Sequence, residues 1–179
     1  LETHIDDFTN YAISQGTPPE IISFTHFRTA LLHDFDPQRD QNPSPRGWLE
    51  GVGMQLGSVP HEAEYECFKG AVGEGAAAEF VGFLNIHRKL PNPDTILRSP
   101  TTADLPTDPA TCYALCGALG ERANKENFKN IVTYANRFDA IQKSEFSVLM
   151  ITYAVRKNAD LYNTEAFINW ADAHQDVLF

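Results

Sequence analysis

The fold is indicated most clearly by the stretch Phe128-Lys129-Asn130-Ile131-Val132-Thr133-Tyr134-Ala135-Asn136-Arg137-Phe138. Its apolar residues recur three or four positions apart, at Phe128, Ile131, Val132, Ala135 and Phe138. On an α-helix this spacing places them along one face, which is the pattern of a helix that packs against a core. The sequence therefore predicts a helix over residues 125–138 with this stripe buried.

The same helical period extends in both directions along the chain. It predicts further helices over residues 5–15, 19–35, from 44 onward, 61–72, 76–90, 109–122, 144–157 and 164–176, the last with Thr164 as its N-cap. Residues 36–43 and 91–109 are rich in proline and short polar side chains, which is typical of loops or linkers. Because no strand-type alternation occurs, the predicted fold class is all-α.

Length and composition are those of an ordinary globular protein. The chain has 179 residues, of which 42% are hydrophobic and 21% charged, as expected for one domain or one domain with an appendage. No apolar run approaches the roughly 20 residues needed to span a bilayer, and no signal-peptide pattern opens the chain. We therefore expect a cytoplasmic location without a membrane partner. The first residue, Leu1, suggests a processed protein or a piece of a longer one.

The charge of the chain is acidic and uneven. The formal net charge is -10, and residues 1–66 hold 11 acidic against 3 basic residues, a net of -8. Neutralising phosphates requires a basic face, so nucleic acid is disfavoured as the main partner. The three cations of this region are Arg28, Arg39 and Arg46, and pairing with a neighbouring carboxylate is the simplest role for each.

The cysteines do not form a recognisable metal or redox motif. Cys67, Cys112 and Cys116 include no Cys-x-x-Cys pair, and no histidine pair stands near them. A structural zinc site needs four ligands, whereas Cys112 and Cys116 share one helical face with leucines. The sequence therefore predicts small buried hydrophobic residues there and no metal site.

The glycines do not form a phosphate-binding loop. Gly70, Gly73 and Gly75 follow no β-type run, and no Lys-Ser/Thr comes after them. A close-packed elbow between two helices is the better interpretation. The Gly-x-Ser-x-Gly and His-Glu-x-x-His motifs are also missing from the sequence. The residues thus indicate no self-sufficient active site.

One short segment, Pro43-Ser44-Pro45-Arg46-Gly47-Trp48, has a more specific chemistry. Ser44 is placed to cap a helix, Pro45 to occupy its first position and Arg46 to project from its first turn. Backbone N–H groups, the helix dipole and a guanidinium would then favour an anion, phosphate above all. The alternative is that Arg46 pairs with Glu50, four residues along the same helix.

Ser44-Pro45-Arg46 at the start of a helix resembles the sensor 2 motif of MoxR-type AAA+ ATPases. Sensor 2 opens the third helix of the small helical lid in that family, and here the motif opens the third predicted helix. The wider pattern resembles the C-terminal portion of bacterial and phage AAA-family ATPases, most specifically over residues 5–90 and less so over 109–179. The segments that carry it are Pro19–Phe24, Leu31–Pro37, Pro43–Trp48 and Gly70–Gly75.

The resemblance implies an AAA+ lid-like helical subdomain over residues 1–72 and a helical extension over residues 73–179. Arg46, with Ser44 and Pro45, would bind nucleotide only in a full-length protein, whose upstream core would carry the P-loop lysine, the acidic metal site and the arginine finger. ATP and Mg²⁺ would be cofactors of that protein, and none is expected for the chain alone, which should lack ATPase activity.

The implied role is to couple nucleotide state to ring assembly and client remodelling, in the manner of a chaperone. The partners would be the upstream core, neighbouring ring subunits and a client or von Willebrand A-type protein. The alternative function is a free-standing all-α interaction module whose acidic N-terminal third docks a basic partner. A helical metal or redox enzyme is disfavoured by the cysteine and histidine patterns.

Overall fold

The computed structural model describes residues 3–175, and every regular element in that range is helical. The prediction of an all-α fold is therefore confirmed. The chain forms two compact units, divided between Lys89 and Leu90.

The first unit is built around a cluster of aromatic side chains. Its elements are α1 (Ile5–Ser14), α2 (Pro19–Phe27), a π-helix (Gly47–Val52) that continues as the short α3 (Gly53–Gln55), α4 (Glu64–Val72) and α5 (Glu74–His87). The ring of Phe24 lies 5.1 Å from Phe80 and 5.3 Å from Trp48, centroid to centroid, and Phe68 packs on Phe80 at 5.5 Å. Edge-on and tilted contacts of this kind suit aromatic quadrupoles, so these rings join α2, α4, α5 and the π-helix.

Two glycines allow the π-helix to approach α4 closely. A Cβ on Gly47 would lie 2.6 Å from the carbonyl oxygen of Ala71, and one on Gly51 would lie 2.5 Å from the Ala71 Cβ. Side chains at either position would push the two elements apart, because a packed core has no space to absorb them. The sequence did not indicate this contact.

The second unit has its core along α8. Its elements are α6 (Pro93–Arg98), α7 (Pro109–Glu121), α8 (Phe128–Asp139), α9 (Ser144–Lys157), the 3-10 turn Ala159–Asn163 and α10 (Glu165–Ala173). The predicted stripe of α8 is buried along its whole length. The Thr164 hydroxyl accepts a hydrogen bond from the Phe167 N–H, as expected of an N-cap.

Cys112 and Cys116 are buried in the core of the second unit, which confirms the prediction of small hydrophobic residues there. Burial raises the pKa of the Cys112 thiol and raises that of Cys116 well above its usual range. Burial and a raised pKa both disfavour the thiolate form that a nucleophile or a metal ligand requires.

The predicted helix over residues 19–35 was wrong beyond Phe27. At Arg28 the backbone leaves the helical region (φ -125°, ψ 61°), and Thr29–Leu31 forms a 3-10 turn. The Leu31 carbonyl accepts a hydrogen bond from the Trp48 indole N–H at 2.8 Å instead of continuing a helix. Phe35, which the period placed on the apolar face, is 73% exposed.

The predicted loop over residues 91–109 also differs, since it contains α6 and is held against α8. The Arg137 guanidinium donates to the carbonyls of Pro100 and Ala103, and the Tyr134 hydroxyl donates to the carbonyl of Asp104. These bonds satisfy backbone groups that no helix serves. The segment is thus a strap fixed to the second unit.

The glycine-rich junction is a helix elbow, as expected, and this elbow requires a glycine at position 73. Gly73 has φ +84°, and a Cβ there would lie 2.5 Å from the Gln41 carbonyl oxygen, whereas Gly70 and Gly75 have open space. The elbow joins α4 to α5, which both belong to the first unit. The compact unit therefore extends past residue 72, where the sequence placed the end of the lid-like subdomain, because α5 packs on α4 and on the aromatic cluster.

Candidate functional site around Arg46

Ser44 and Pro45 begin the helix that contains the π-helical segment. The Ser44 hydroxyl accepts a hydrogen bond from the Gly47 N–H at 3.1 Å, and the Ser44 carbonyl accepts one from the Trp48 N–H at 3.0 Å. Helical geometry starts at Pro45. Ser44 is therefore the cap and Pro45 the first helical residue, in agreement with the sequence pattern.

This cap changes what the helix end can offer an anion. Pro45 carries no N–H, and the Gly47 N–H already donates to the Ser44 hydroxyl. The expected convergence of several backbone donors is therefore not formed, because the capping side chain has taken one of them. An anion at this position would depend on the Arg46 guanidinium rather than on the helix end.

The Arg46 side chain stands in water and pairs with Glu50. It is 85% exposed, and its Nε donates to Glu50 Oε2 at 2.7 Å. The alternative that the spacing left open, an ion pair within one helix, is the arrangement observed. The hydrogen bond to Glu50, and then the attraction of its charge, raise the pKa of Arg46, so the guanidinium stays a cation. Exposed pairs of this spacing contribute little to stability.

Arg46 lies on the rim of an open groove between α1 and the π-helix. The groove has a volume of about 790 Å³, and its lining combines apolar with charged residues. The apolar members include Phe8, Tyr11, Leu49 and Met54, and the charged ones Asp7, Arg46 and Glu50. Tyr11 is 57% and Met54 74% exposed, so the groove presents apolar surface to solvent.

No sequence pattern indicated Tyr11 or Met54 as site residues. Tyr11 lies beside the buried stripe of α1, which is formed by Phe8, Thr9 and Ala12. Met54 follows the π-helical segment, where an extra residue in the turn shifts the later side chains away from the α-helical period. A period of 3.6 residues therefore gave no signal for either.

The other arginines of the first unit have structural partners. Arg28 pairs with Glu79 of α5 at 2.6 Å, and Arg39 pairs with Asp34 and Asp36 of its own loop. Pairing of Arg28, Arg39 and Arg46 with neighbouring carboxylates was the simplest expectation, and it is confirmed for all three.

A polar network in the second unit connects α8, α9 and α10. The Ser147 hydroxyl donates to Asp139 Oδ2 at 3.0 Å, and His174 Nε2 lies 3.1 Å from the same oxygen. The Trp170 indole N–H donates to the Ser147 hydroxyl at 3.2 Å. A nucleophilic serine would instead donate to a histidine and face a cleft, whereas Ser147 is buried. We interpret the network as structural.

In residues 3–175, no cluster of three or more His, Cys, Asp or Glu side chains has a geometry that could hold a metal ion. Within the same range, no helix combines the length and the apolar character needed to cross a bilayer.

Comparison of the chain with protein-family models, with curated proteins and with solved structures finds no match in any of the three.

Proposed function

We propose that the first unit is the lid of an AAA+ ATPase and that Arg46 contacts the terminal phosphate of ATP bound to an upstream core. The proposal joins the resemblance of Ser44-Pro45-Arg46 to sensor 2 with one observation. The Arg46 guanidinium stands in water on the rim of a groove, and among the residues that the structure describes its salt-bridge partner is Glu50 of its own helix.

The contrast with other arginines supports this role. Arg28 and Arg88 each connect two elements of the first unit, through Glu79 and Glu64 respectively. Within residues 3–175, Arg46 pairs with Glu50 of its own helix and connects no second element, and a cation in the first turn opposes the helix dipole. Since its pair with Glu50 is exposed and weak, an incoming phosphate could replace the carboxylate at little cost to the fold.

A single guanidinium can have a large effect on phosphoryl transfer. The protein contributes to that reaction mainly by positioning and by stabilising negative charge on the transferred group. A planar guanidinium binds phosphate through two parallel hydrogen bonds, which a lysine cannot reproduce. Contact between Arg46 and the phosphate would also link the position of the lid to the nucleotide state. Mg²⁺ would be held by the core, and neighbouring ring subunits and a client, including a von Willebrand A-type protein, would respond to the lid.

The proposal is tested by steady-state ATP hydrolysis in a protein that contains both the core and this chain. Arg46→Ala should lower turnover by roughly 30- to 1,000-fold, equivalent to about 2–4 kcal/mol of transition-state stabilisation. The melting temperature should change little, because only a surface pair is lost. Arg46→Lys should restore part of the activity.

Glu50→Ala is the matched control, since it breaks the same ion pair but leaves the guanidinium in place. It should not lower turnover, and Arg39→Ala, which removes a loop cation, should be nearly silent. Equal losses of turnover and of melting temperature in Arg46→Ala and Glu50→Ala would mean that Arg46 is only an ion-pair partner, and the proposal would be wrong.

A second candidate function is an interaction module, and the exposed Tyr11 and Met54 in the groove favour it. The net charge of residues 1–66 suits a basic partner. The two candidates differ in what precedes Leu1 in the source reading frame. A P-loop a few hundred codons upstream supports the lid, whereas a start codon directly before Leu1 supports the module.

A further inference from the structure

The contact between Arg46 and Glu50 has a consequence for any anion that binds there. Glu50 Oε2 accepts a hydrogen bond from Arg46 Nε at 2.7 Å. The Nε–H lies on the edge of the guanidinium that forms a two-pronged contact with carboxylate or phosphate oxygens. A phosphate that approaches this edge must displace Glu50. We propose that Glu50 is an internal competitor that sets the affinity of Arg46 for polyphosphate, an inference that rests on the proposed phosphate contact.

Displacement is feasible because neither side chain is fixed by the core. The side chain of Arg46 is 85% and that of Glu50 63% exposed, so both can change rotamer without disturbing packing. An exposed pair with this spacing resists exchange by a factor of only about two. After displacement, however, the carboxylate remains on the next turn of the same helix, where its charge repels the bound anion.

Anion binding at Arg46 is therefore a competition between Glu50 and the incoming anion. A tethered carboxylate acts at an effective concentration on the order of millimolar or above. Acetate or chloride at similar concentrations carries no more charge than Glu50 and gains nothing by replacing it. A triphosphate carries several charges and can hold both prongs of the guanidinium, so it overcomes the competitor. Glu50 thus lowers the affinity of Arg46 for every anion, by about twofold through the pair that must break and by more for a polyphosphate, which the displaced carboxylate repels more strongly.

The test is a titration of the chain with sodium triphosphate, followed through the backbone amide resonances of Gly47, the first residue of the π-helix, and Gly53, which follows it. Glu50→Gln removes the competing charge and keeps the size of the side chain. We expect a dissociation constant in the millimolar range for the native chain and roughly five- to thirty-fold tighter binding for Glu50→Gln. Glu62→Gln removes the same charge from another exposed position of the first unit, and its affinity should stay within about twofold of the native value.

Each result has a definite meaning. Equal affinities for Glu50→Gln and Glu62→Gln would overturn the competitor role, and weaker binding by Glu50→Gln would show that Glu50 positions Arg46. Absence of resonance shifts in Glu50→Gln at tens of millimolar triphosphate would overturn it as well. Arg46→Ala tests the underlying contact separately, because native-like triphosphate binding by that variant would refute the proposed function whatever Glu50 does. Thermal melts of all variants establish that each one is folded.

Discussion

Arg88 offers a sharp test of how the first unit is stabilised. It donates from Nη2 to Glu64 Oε1 at 2.5 Å, and His61 Nδ1 lies 3.0 Å from the same oxygen. The Glu64 side chain is only 1% exposed, and its second oxygen is buried without a hydrogen-bond partner among the described residues. Arg88→Ala therefore leaves a buried carboxylate with one exposed histidine as its remaining partner.

The size of the effect follows from proton linkage. Burial acts to raise the pKa of Glu64, but hydrogen bonds from Arg88 and His61 and their charges outweigh it and hold the pKa below its usual value. In the native chain this carboxylate adds stability above the pKa that it has when unfolded, and that stability is lost as the pH falls through the folded pKa. Without Arg88, burial should dominate and raise the pKa of Glu64. The ionised carboxylate should then destabilise the folded state instead of stabilising it.

The destabilisation caused by Arg88→Ala has an upper limit, because the stranded carboxylate of Glu64 can bind a proton. Protonating a glutamate of ordinary pKa near 4.3 costs about 3.7 kcal/mol at pH 7 and about 1 kcal/mol at pH 5. We therefore expect Arg88→Ala to destabilise the first unit by about 2–4 kcal/mol at pH 7, within the range for a broken buried pair. At pH 5 the loss should shrink by up to about 2.7 kcal/mol.

Urea unfolding at both pH values measures this. The two tryptophans of the chain, Trp48 and Trp170, are buried in different units. A Trp170→Phe background leaves Trp48 as the only tryptophan, so its fluorescence reports the first unit alone. Arg88→Ala is then compared in this background with and without Glu64→Gln.

Two comparisons decide the result. In the Glu64→Gln background no charge is stranded, so Arg88→Ala should cost under about 1 kcal/mol at either pH. Arg28→Ala breaks an exposed pair with Glu79 and should also cost at most about 1 kcal/mol. The reasoning is refuted if Arg88→Ala costs no more than Arg28→Ala at pH 7, or if its cost does not decrease at pH 5.

Four further outcomes are expected. A Cβ at Gly120 would lie 2.3 Å from Tyr153 Cδ1. Gly120→Ala should therefore lower the free energy of unfolding of the second unit, followed by Trp170 fluorescence, by about 1–3 kcal/mol. Gly82 lies in the interior of α5 with open space at its Cβ, so Gly82→Ala should instead stabilise the first unit by about 0.5–1 kcal/mol. Gln142 has φ 60°, so Gln142→Gly should raise the free energy of unfolding of the second unit by up to about 1 kcal/mol, measured by urea unfolding. A decrease would contradict the strain argument. The chain alone should bind ATP with a free energy of about 4 kcal/mol at most, which corresponds to a millimolar dissociation constant, and should not hydrolyse it. Micromolar binding in calorimetry would reveal a further nucleotide site.

The helices that the sequence predicted best are those whose apolar stripe runs uninterrupted. The α8 stripe from Phe128 to Phe138 is buried as expected, and α9 spans the predicted residues 144–157. The period failed where a tertiary hydrogen bond competes with helix continuation. The carbonyl of Leu31 serves the Trp48 indole, 17 residues away, and local spacing contains no information about that partner.

The candidate site was predictable in its local part and not in its surroundings. Ser44 as the cap and Pro45 as the first helical residue follow from intrinsic preferences that act over a few positions. The groove depends on α1 lying beside the π-helix, and the close approach of the π-helix to α4 depends on Gly47 and Gly51, where a Cβ would collide with Ala71. Those contacts are long-range and steric, so neither Tyr11 nor Met54 could be assigned to the site from spacing.

Arg46 and Arg88 carry the same charge and both pair with a glutamate. They differ in how readily they can release that partner, because Glu64 is buried and Glu50 is exposed. A ligand that drew Arg88 away would strand Glu64 in the core, and the cost calculated above would be subtracted from the binding free energy. A ligand that draws Arg46 away exposes only Glu50, which water already solvates. Of these two, only Arg46 can exchange its partner at low cost. Availability of a cation for an incoming phosphate is therefore set by how deeply its present partner is buried, and this is the physical reason to look for anion contact at Arg46 rather than at Arg88.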